Sequence, residues 1–427
     1  MQHGRLGAHD AHRRSRYRHR RRDGPALWIT PTRFAARRHL VSVSSRSRRA
    51  TARKLSTSRS GRPVDRPVLR ATSIPDLLGC VPAALGFHPR RSLVAIALQG
   101  KRFVFHLRAD LPAPEYADEC AAQLLPPLVA QQPDGVLLVA YTEPEPSSDV
   151  RGVDRLSADA LVAELRRKLS QHDIDVREAV RCDGARYWSY DCDREECCPS
   201  DGTPYDIESS STLADAVFNG LEVLPDRSAV EQRFHGVAGA RRVEMEAVTE
   251  RMVTEVLAAG GLDVEDEQSW DHGRLGRHPD LLRAGAAYVT DLLSELDGER
   301  AGSLSDEDAA RLTIWTLLLP VRDLAWSYID RDNAEHHRQL WTGVAQRAVS
   351  PFEPAPLCLA AFACWLSGNG TQARCALDRV SEVEPAYSMG TLLTDMLERC
   401  VPPSAWRPFD PAMIRSQFPP EAEQQSA

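Results

Sequence analysis

Lysine is nearly missing from this 427-residue chain: Lys54, Lys101 and Lys168 are the only three among 53 basic residues. No chemistry asks for so general a bias, and arginine-heavy coding in a high-GC bacterial genome explains it more simply. Long apolar runs are missing too. No window offers the eighteen or so uninterrupted apolar residues of a membrane-spanning helix, so a membrane partner is not expected. Cysteine is sparse, ten in the whole chain, which excludes a small disulfide-stapled secreted domain and makes the cytoplasm the expected compartment. The familiar catalytic signatures are absent as well. There is no P-loop, no H-E-x-x-H and no G-x-S-x-G, and Gly368-x-Gly370-x-x-Ala373 joins two helical patterns where a dinucleotide site needs a preceding strand.

What is present is strongly asymmetric in charge. Residues 1–62 hold 18 Lys and Arg against 2 acids, a balance of +16, and the rest holds 35 against 58, or −23. An acidic body binds nucleic acid poorly, so contact with nucleic acid is expected only through the arginine-rich tail, by phosphate neutralisation. That tail, residues 1–66, has too few apolar residues to bury a core and reads as disordered. A targeting leader is one alternative, although Arg37-Arg38 is followed by no apolar segment. A start codon assigned too far upstream is the plainer expectation.

Residues 67–225 read as an α/β domain. SLVAIAL (92–98) is a β-branched apolar run, and RFVFHLRADLP (102–112) alternates with the period of a half-buried strand, a turn at Gln99-Gly100 making the two a hairpin. SIPDLLGCVPAALGF (73–87) is expected to be a short helix broken by Pro82. A helix near 115–131 and one carrying Leu161, Leu165 and Leu169 flank GVLLVAY (135–141), whose continuous apolar character suits a central strand covered on both sides. Asp183-Gly184 between strand-like runs signals another hairpin. The sum is a mixed sheet of about five strands with helices packed on it.

Cys192, Cys197 and Cys198 lie just past that hairpin. With a two-residue loop, Cys182 faces Ala185, and Cys192 falls opposite Asp175, about 23 Å along the strand from Cys182 at about 3.3 Å per residue. Cys182 is therefore excluded as a fourth metal ligand, and His172, near Asp175, is the best replacement. Zinc or iron held by Cys192, Cys197, Cys198 and His172 is the sharper reading, but adjacent cysteines are expected to point apart. The blander reading, thiols half-buried as small hydrophobes in a loop that binds no cofactor, leads.

Residues 226–408 read as a helical domain. Met245, Val248, Met252 and Val256 step by three and four up to Gly260-Gly261, and Leu282, Ala286, Val289, Leu293 and Leu296 form a second stripe. Ser305-x-x-Asp308 resembles a capping box for a helix expected to run to Leu319, where Pro320 would end it. His336-His337 are expected on a solvated face. LCLAAFACWLSGNGTQARCALDRVSEVEP (357–385) looks like one tetratricopeptide-like hairpin in a helical bundle, since a solenoid needs about three. Residues 409–427 read as a second disordered tail.

LRATSIPDLLGCVPAALGFHPRRSLVAIAL, RADLP, RYWSYDCDREECCPSDGTPYD and LCLAAFACWLSGNGTQARCALDRVSEVEPAYSMGTLL, in that order, resemble the actinobacterial family of domain of unknown function 4192. The resemblance covers roughly residues 69–407 and implies a cytosolic protein with no assigned activity, with Cys-x4-Cys-Cys-Pro as part of the pattern. Thr371 and Gln372 replace expected small apolar residues, which questions how tightly the last hairpin packs. Function is then expected to be binding or scaffolding, an unidentified protein or small ligand sitting between the two halves. An enzyme with His88, Arg108 and Asp110 converging at the strand ends, and a thiol- or metal-dependent regulator, are the alternatives.

Overall fold

The computed structural model describes residues 27–30, 71–144, 152–262, 275–295 and 304–419. Alternation builds its sheet. In β2 (Ser92–Gln99), Leu93, Ala95 and Ala97 belong to one core cluster while Val94, Ile96 and Leu98 belong to another, the period of two that sends successive side chains to opposite faces. β4 (Gly135–Tyr141) divides in the same way, Leu138 and Ala140 from Val139 and Tyr141, so it is covered on both sides as its continuous apolar run requires.

With β1 (Leu27–Thr30), β3 (Arg102–Asp110), β5 (Val176–Cys182), β6 (Arg186–Ser189) and β7 (Thr203–Pro204), the strand order is β1-β3-β2-β4-β5-β6-β7. Among the described strands only β4 and β5 pair in parallel, and α3 (Val153–Ser170) lies in their crossover. The sheet is mixed, as the sequence implies, but has seven strands. One of the additional strands, β1, falls inside the segment expected to be disordered; pairing with β3 supplies the hydrogen bonds that its sequence alone does not secure. The rest of the 1–66 expectation lies outside the described residues.

On one face, α2 (Ala117–Ala130) contributes Leu124 and Leu128, and α3 contributes Leu161, Leu165 and Leu169. The other face carries α1 (Ile74–Leu85) and the helical half. Leu77, Leu78, Val94, Ile96 and Val139 share one continuous cluster with Phe234, Trp341, Leu359, Phe362 and Trp365. The two halves thus share a core across this sheet face.

The helical half comprises, after α4 (Ser211–Phe218), α5 (Arg227–Gln232), α6 (Ala240–Ala259), α7 (Pro279–Glu295), α8 (Asp306–Trp315), α9 (Leu319–Ser327), α10 (Ala334–Arg347), α11 (Pro354–Leu366), α12 (Gly370–Val383), α13 (Ser388–Glu398) and α14 (Pro411–Arg415). The Ser305 hydroxyl caps α8 by accepting from the Asp308 N–H at 3.0 Å, and Gly260 stops α6.

Several local expectations need correction. Pro82 stands inside α1 without breaking it; the burial of Leu77, Leu78, Val81 and Leu85 offsets the missing N–H bond. α8 ends at Trp315, and Pro320 instead opens α9, where a first-turn N–H would have no intrahelical partner to lose. His337 is buried rather than solvated, on the stripe with Leu340, Trp341 and Val344. Thr371 and Gln372 are buried with the last hairpin, and Arg338 Nη1 donates to Gln372 Oε1 at 3.0 Å, so a hydrogen bond replaces the expected apolar contact. Residues 409–419 do not form a free tail: α14 is held by Arg415, which donates to Thr290 Oγ1 at 2.6 Å and Tyr328 Oη at 2.7 Å. Leu296, the last position of the second apolar stripe, and residues 420–427 lie outside the described residues.

Candidate metal centre

The β5–β6 turn differs in register from the tightest hairpin. The Asp183 carboxylate accepts from the Ala185 and Arg186 N–H groups at 3.0 and 2.7 Å, and Asp183 N–H donates to Arg186 O at 3.1 Å. Cys182 consequently faces Tyr187 rather than Ala185. The register that brings His172 beside Cys192 is not the one adopted, and β6 ends at Ser189. His172 is exposed in the turn after α3 and is not among the clustered ligand atoms.

Asp191 closes the strand. Its Oδ2 accepts from Ala179 N–H at 3.0 Å and from Arg166 at 2.6 Å, and the Arg166 hydrogen bond lowers its pKa. The chain then makes one helical turn around Arg194, whose carbonyl accepts from the N–H groups of Cys197 and Cys198 at 3.1 and 2.8 Å. In such a turn consecutive side chains diverge by about 100° rather than the near 180° of a strand. For this reason the adjacent cysteines, expected to point apart, converge with Cys192. The Glu195 carboxylate clasps the far side, accepting from Ser200 N–H and Oγ, each at 2.9 Å.

The return to β7 depends on a close approach. Gly202 has φ +86°, and a Cβ there would lie 2.5 Å from the Trp188 ring. Trp188 Nε1 donates to Ser200 O at 3.2 Å, and the Arg181 guanidinium lies 3.7 Å from its ring centroid. Arg186 Nη1 donates to Gly202 O at 2.7 Å. Both ends of the loop are therefore fixed to the sheet.

The sulfurs of Cys192, Cys197 and Cys198 lie within 4.8 Å of one another, Cys192 and Cys197 at 3.2 Å. Zinc–sulfur bonds of about 2.3 Å at tetrahedral angles place sulfurs about 3.8 Å apart, so small side-chain adjustments would allow all three to reach one ion. The Arg194 N–H bond, followed by bonds from Cys198, Cys197 and the Arg194 side chain, brings the Cys192 thiol down to about 7; Cys198, bonded to Cys192, goes up to about 12. These three are the only cysteines that are not buried. Burial instead raises the thiols of Cys80, Cys182 and Cys364 to about 12. A cleft of about 550 Å³ borders Cys192 and Cys198, walled by Arg155, Asp159, Arg181, Trp188 and Tyr190. The cleft, the Glu195 clasp and the Gly202–Trp188 packing are not apparent from the cysteine spacing.

The other predicted group is arranged differently. Arg108 is buried; it donates to Asp110 Oδ1 at 2.5 Å and Arg90 O at 3.4 Å, with the Phe87 ring centroid 5.8 Å away. His88 is half-buried, its pKa lowered first by burial and then by Arg90 against an opposing effect of Glu208. No hydrogen bond joins its ring to Asp110 among the described residues, so Arg108 and Asp110 form an ion pair without the third member of the expected constellation.

Among the described residues no helix is long and apolar enough to cross a membrane. No curated protein and no solved structure matches the chain. A family model described as a domain of unknown function (DUF4192) matches residues 75–404, spanning both halves and the thiol loop. The chain belongs to the DUF4192 family.

Proposed function

We propose that this is a metal-dependent binding protein of the reducing cytoplasm, in which Cys192, Cys197 and Cys198 hold one soft divalent ion, zinc foremost. The observation that carries the reading is the convergence of three exposed or half-buried sulfurs within 4.8 Å on a loop fixed at both ends. The lowered Cys192 thiol supports it, because thiolate is the ligand form. Three protein ligands leave a fourth tetrahedral position, the arrangement of exchangeable rather than purely structural zinc sites, and the adjoining cleft gives a small ligand or partner group access to it. A regulatory role follows if occupancy of that position changes the loop that partners meet.

The test is elemental analysis of the full chain purified without a metal-binding tag, followed by Co²⁺ titration read by thiolate-to-metal charge-transfer absorption. One metal per chain, lost in Cys197→Ser and retained in Cys120→Ser, is the expected result. Absence of stoichiometric metal and of the absorption overturns the reading. The 3.2 Å Cys192–Cys197 separation favours one second reading, a dithiol switch: a peroxide would take two electrons from the pair, forming one disulfide while two waters leave. Loss of two titratable thiols on peroxide treatment of metal-free protein distinguishes it.

A further inference from the structure

A second cavity, of about 670 Å³, lies wholly within the helical half, between α6, α7, α8 and residues 349–352. Val253, Leu257, Leu281, Ile314, Leu317 and Phe352 are among its apolar lining, and its volume falls in the range of small-molecule sites. Its polar groups are few and largely engaged. Thr249 and Thr254 donate to backbone carbonyls of their own helix, at 2.7 and 3.2 Å, and Glu246 accepts from Arg242 at 2.9 Å. Among the described residues Glu250 has no ion-pair partner and no lining side chain is cationic. An apolar chamber with an unpaired carboxylate at its mouth disfavours fatty acids, whose carboxylate would find no positive partner there.

We propose that this cavity binds a single-chain amphiphile with a cationic head, the alkyl chain inside and the ammonium group against Glu250. Charge complementarity selects this occupant, and the site is independent of the thiol centre.

Isothermal titration of the full chain with decyltrimethylammonium and with decanoate, both below micelle formation, tests it. Attraction of one head group and repulsion of the other at an exposed carboxylate predict a preference of about tenfold for the ammonium. Glu250→Gln should weaken ammonium binding about three- to fivefold and bring the two probes within about threefold of each other. Thr254→Trp, at an exposed lining position, should fill the mouth and abolish binding. Ser350→Trp, exposed on the opposite rim, supplies the same block if the first variant melts early. Equal or tighter decanoate binding, or undiminished ammonium binding in a folded mouth-filled variant, as adhesion to the acidic surface would give, overturns the proposal.

Discussion

Replacing Gly202 by alanine should cost the protein its metal while sparing its core. Any L-residue at φ +86° meets the left-handed penalty of about 1–2 kcal/mol. The added Cβ would also lie 2.5 Å from Cε2 and 2.6 Å from Cζ2 of Trp188, so the ring must move by about 1 Å to reach ordinary contact. That movement breaks the Trp188–Ser200 hydrogen bond and the stacking on Arg181, worth about 1 and about 0.5–1 kcal/mol. The total is about 2.5–4 kcal/mol. It falls on the thiol loop, which relaxes in the metal-free variant and must be restored when metal binds. Metal affinity should then drop roughly 50- to 1,000-fold, measured by competition with a chromophoric chelator. Gly220→Ala is the control: φ is similar, +84°, but nothing lies within 4 Å of its Cβ, so metal affinity should hold. If Gly202→Ala binds metal within about threefold of the parent, the Trp188 packing does not organise the thiols and the reasoning fails.

Two further outcomes follow from protonation. Iodoacetamide labelling of Cys192 in the metal-free protein, followed by peptide mass spectrometry, should rise with pH through a midpoint near 7, where its thiol has been brought, and level off above it, while Cys198 stays slow through pH 10; parallel labelling of the two refutes the assignment. His337 is held neutral by burial, and next by His336, with its pKa down to about 3 from 6.5. The unfolded chain takes up that proton first, so this residue's contribution is complete above about pH 6.5 and drains between 6.5 and 3, at a limiting slope of about 1.4 kcal/mol per pH unit. His337→Leu should flatten the acid limb seen in urea unfolding between pH 5 and 7, and an unchanged limb refutes it.

The fold is legible in this sequence wherever a repeating pattern meets a single dominant force. GVLLVAY is buried on both faces of β4, as its continuous apolar run implies. The alternation of Phe103, Phe105 and Leu107 misleads: Phe105–Ala109 of β3 are all buried, His106 and Arg108 included, so β3 is covered on both faces rather than half-buried. Proline misleads because its local penalty is only about 3 kcal/mol, within reach of what one buried helix face supplies; Pro82 shows this. The position of Pro320 relative to the helix start, rather than its presence, decides its effect. His337 was readable: it lies three, four and seven residues before Leu340, Trp341 and Val344, and that spacing marks a buried stripe regardless of residue polarity.

The thiol centre is harder to read because its geometry depends on groups that are not ligands. Cys-x4-Cys-Cys in a strand would send its last two sulfurs to opposite sides; the turn around the Arg194 carbonyl and the Glu195–Ser200 clasp bring them together. The hairpin register turns on a side-chain acceptor, since Asp183 takes two N–H groups that a two-residue loop would leave elsewhere. Composition cannot separate the three loop cysteines from the seven others, because the residue type is the same and only the surroundings differ. Burial raises the core thiols, whereas the Arg194 N–H lowers Cys192. A thiol available to metal at neutral pH is thus set apart by backbone donors and exposure, and both arise only once β6 and β7 are paired.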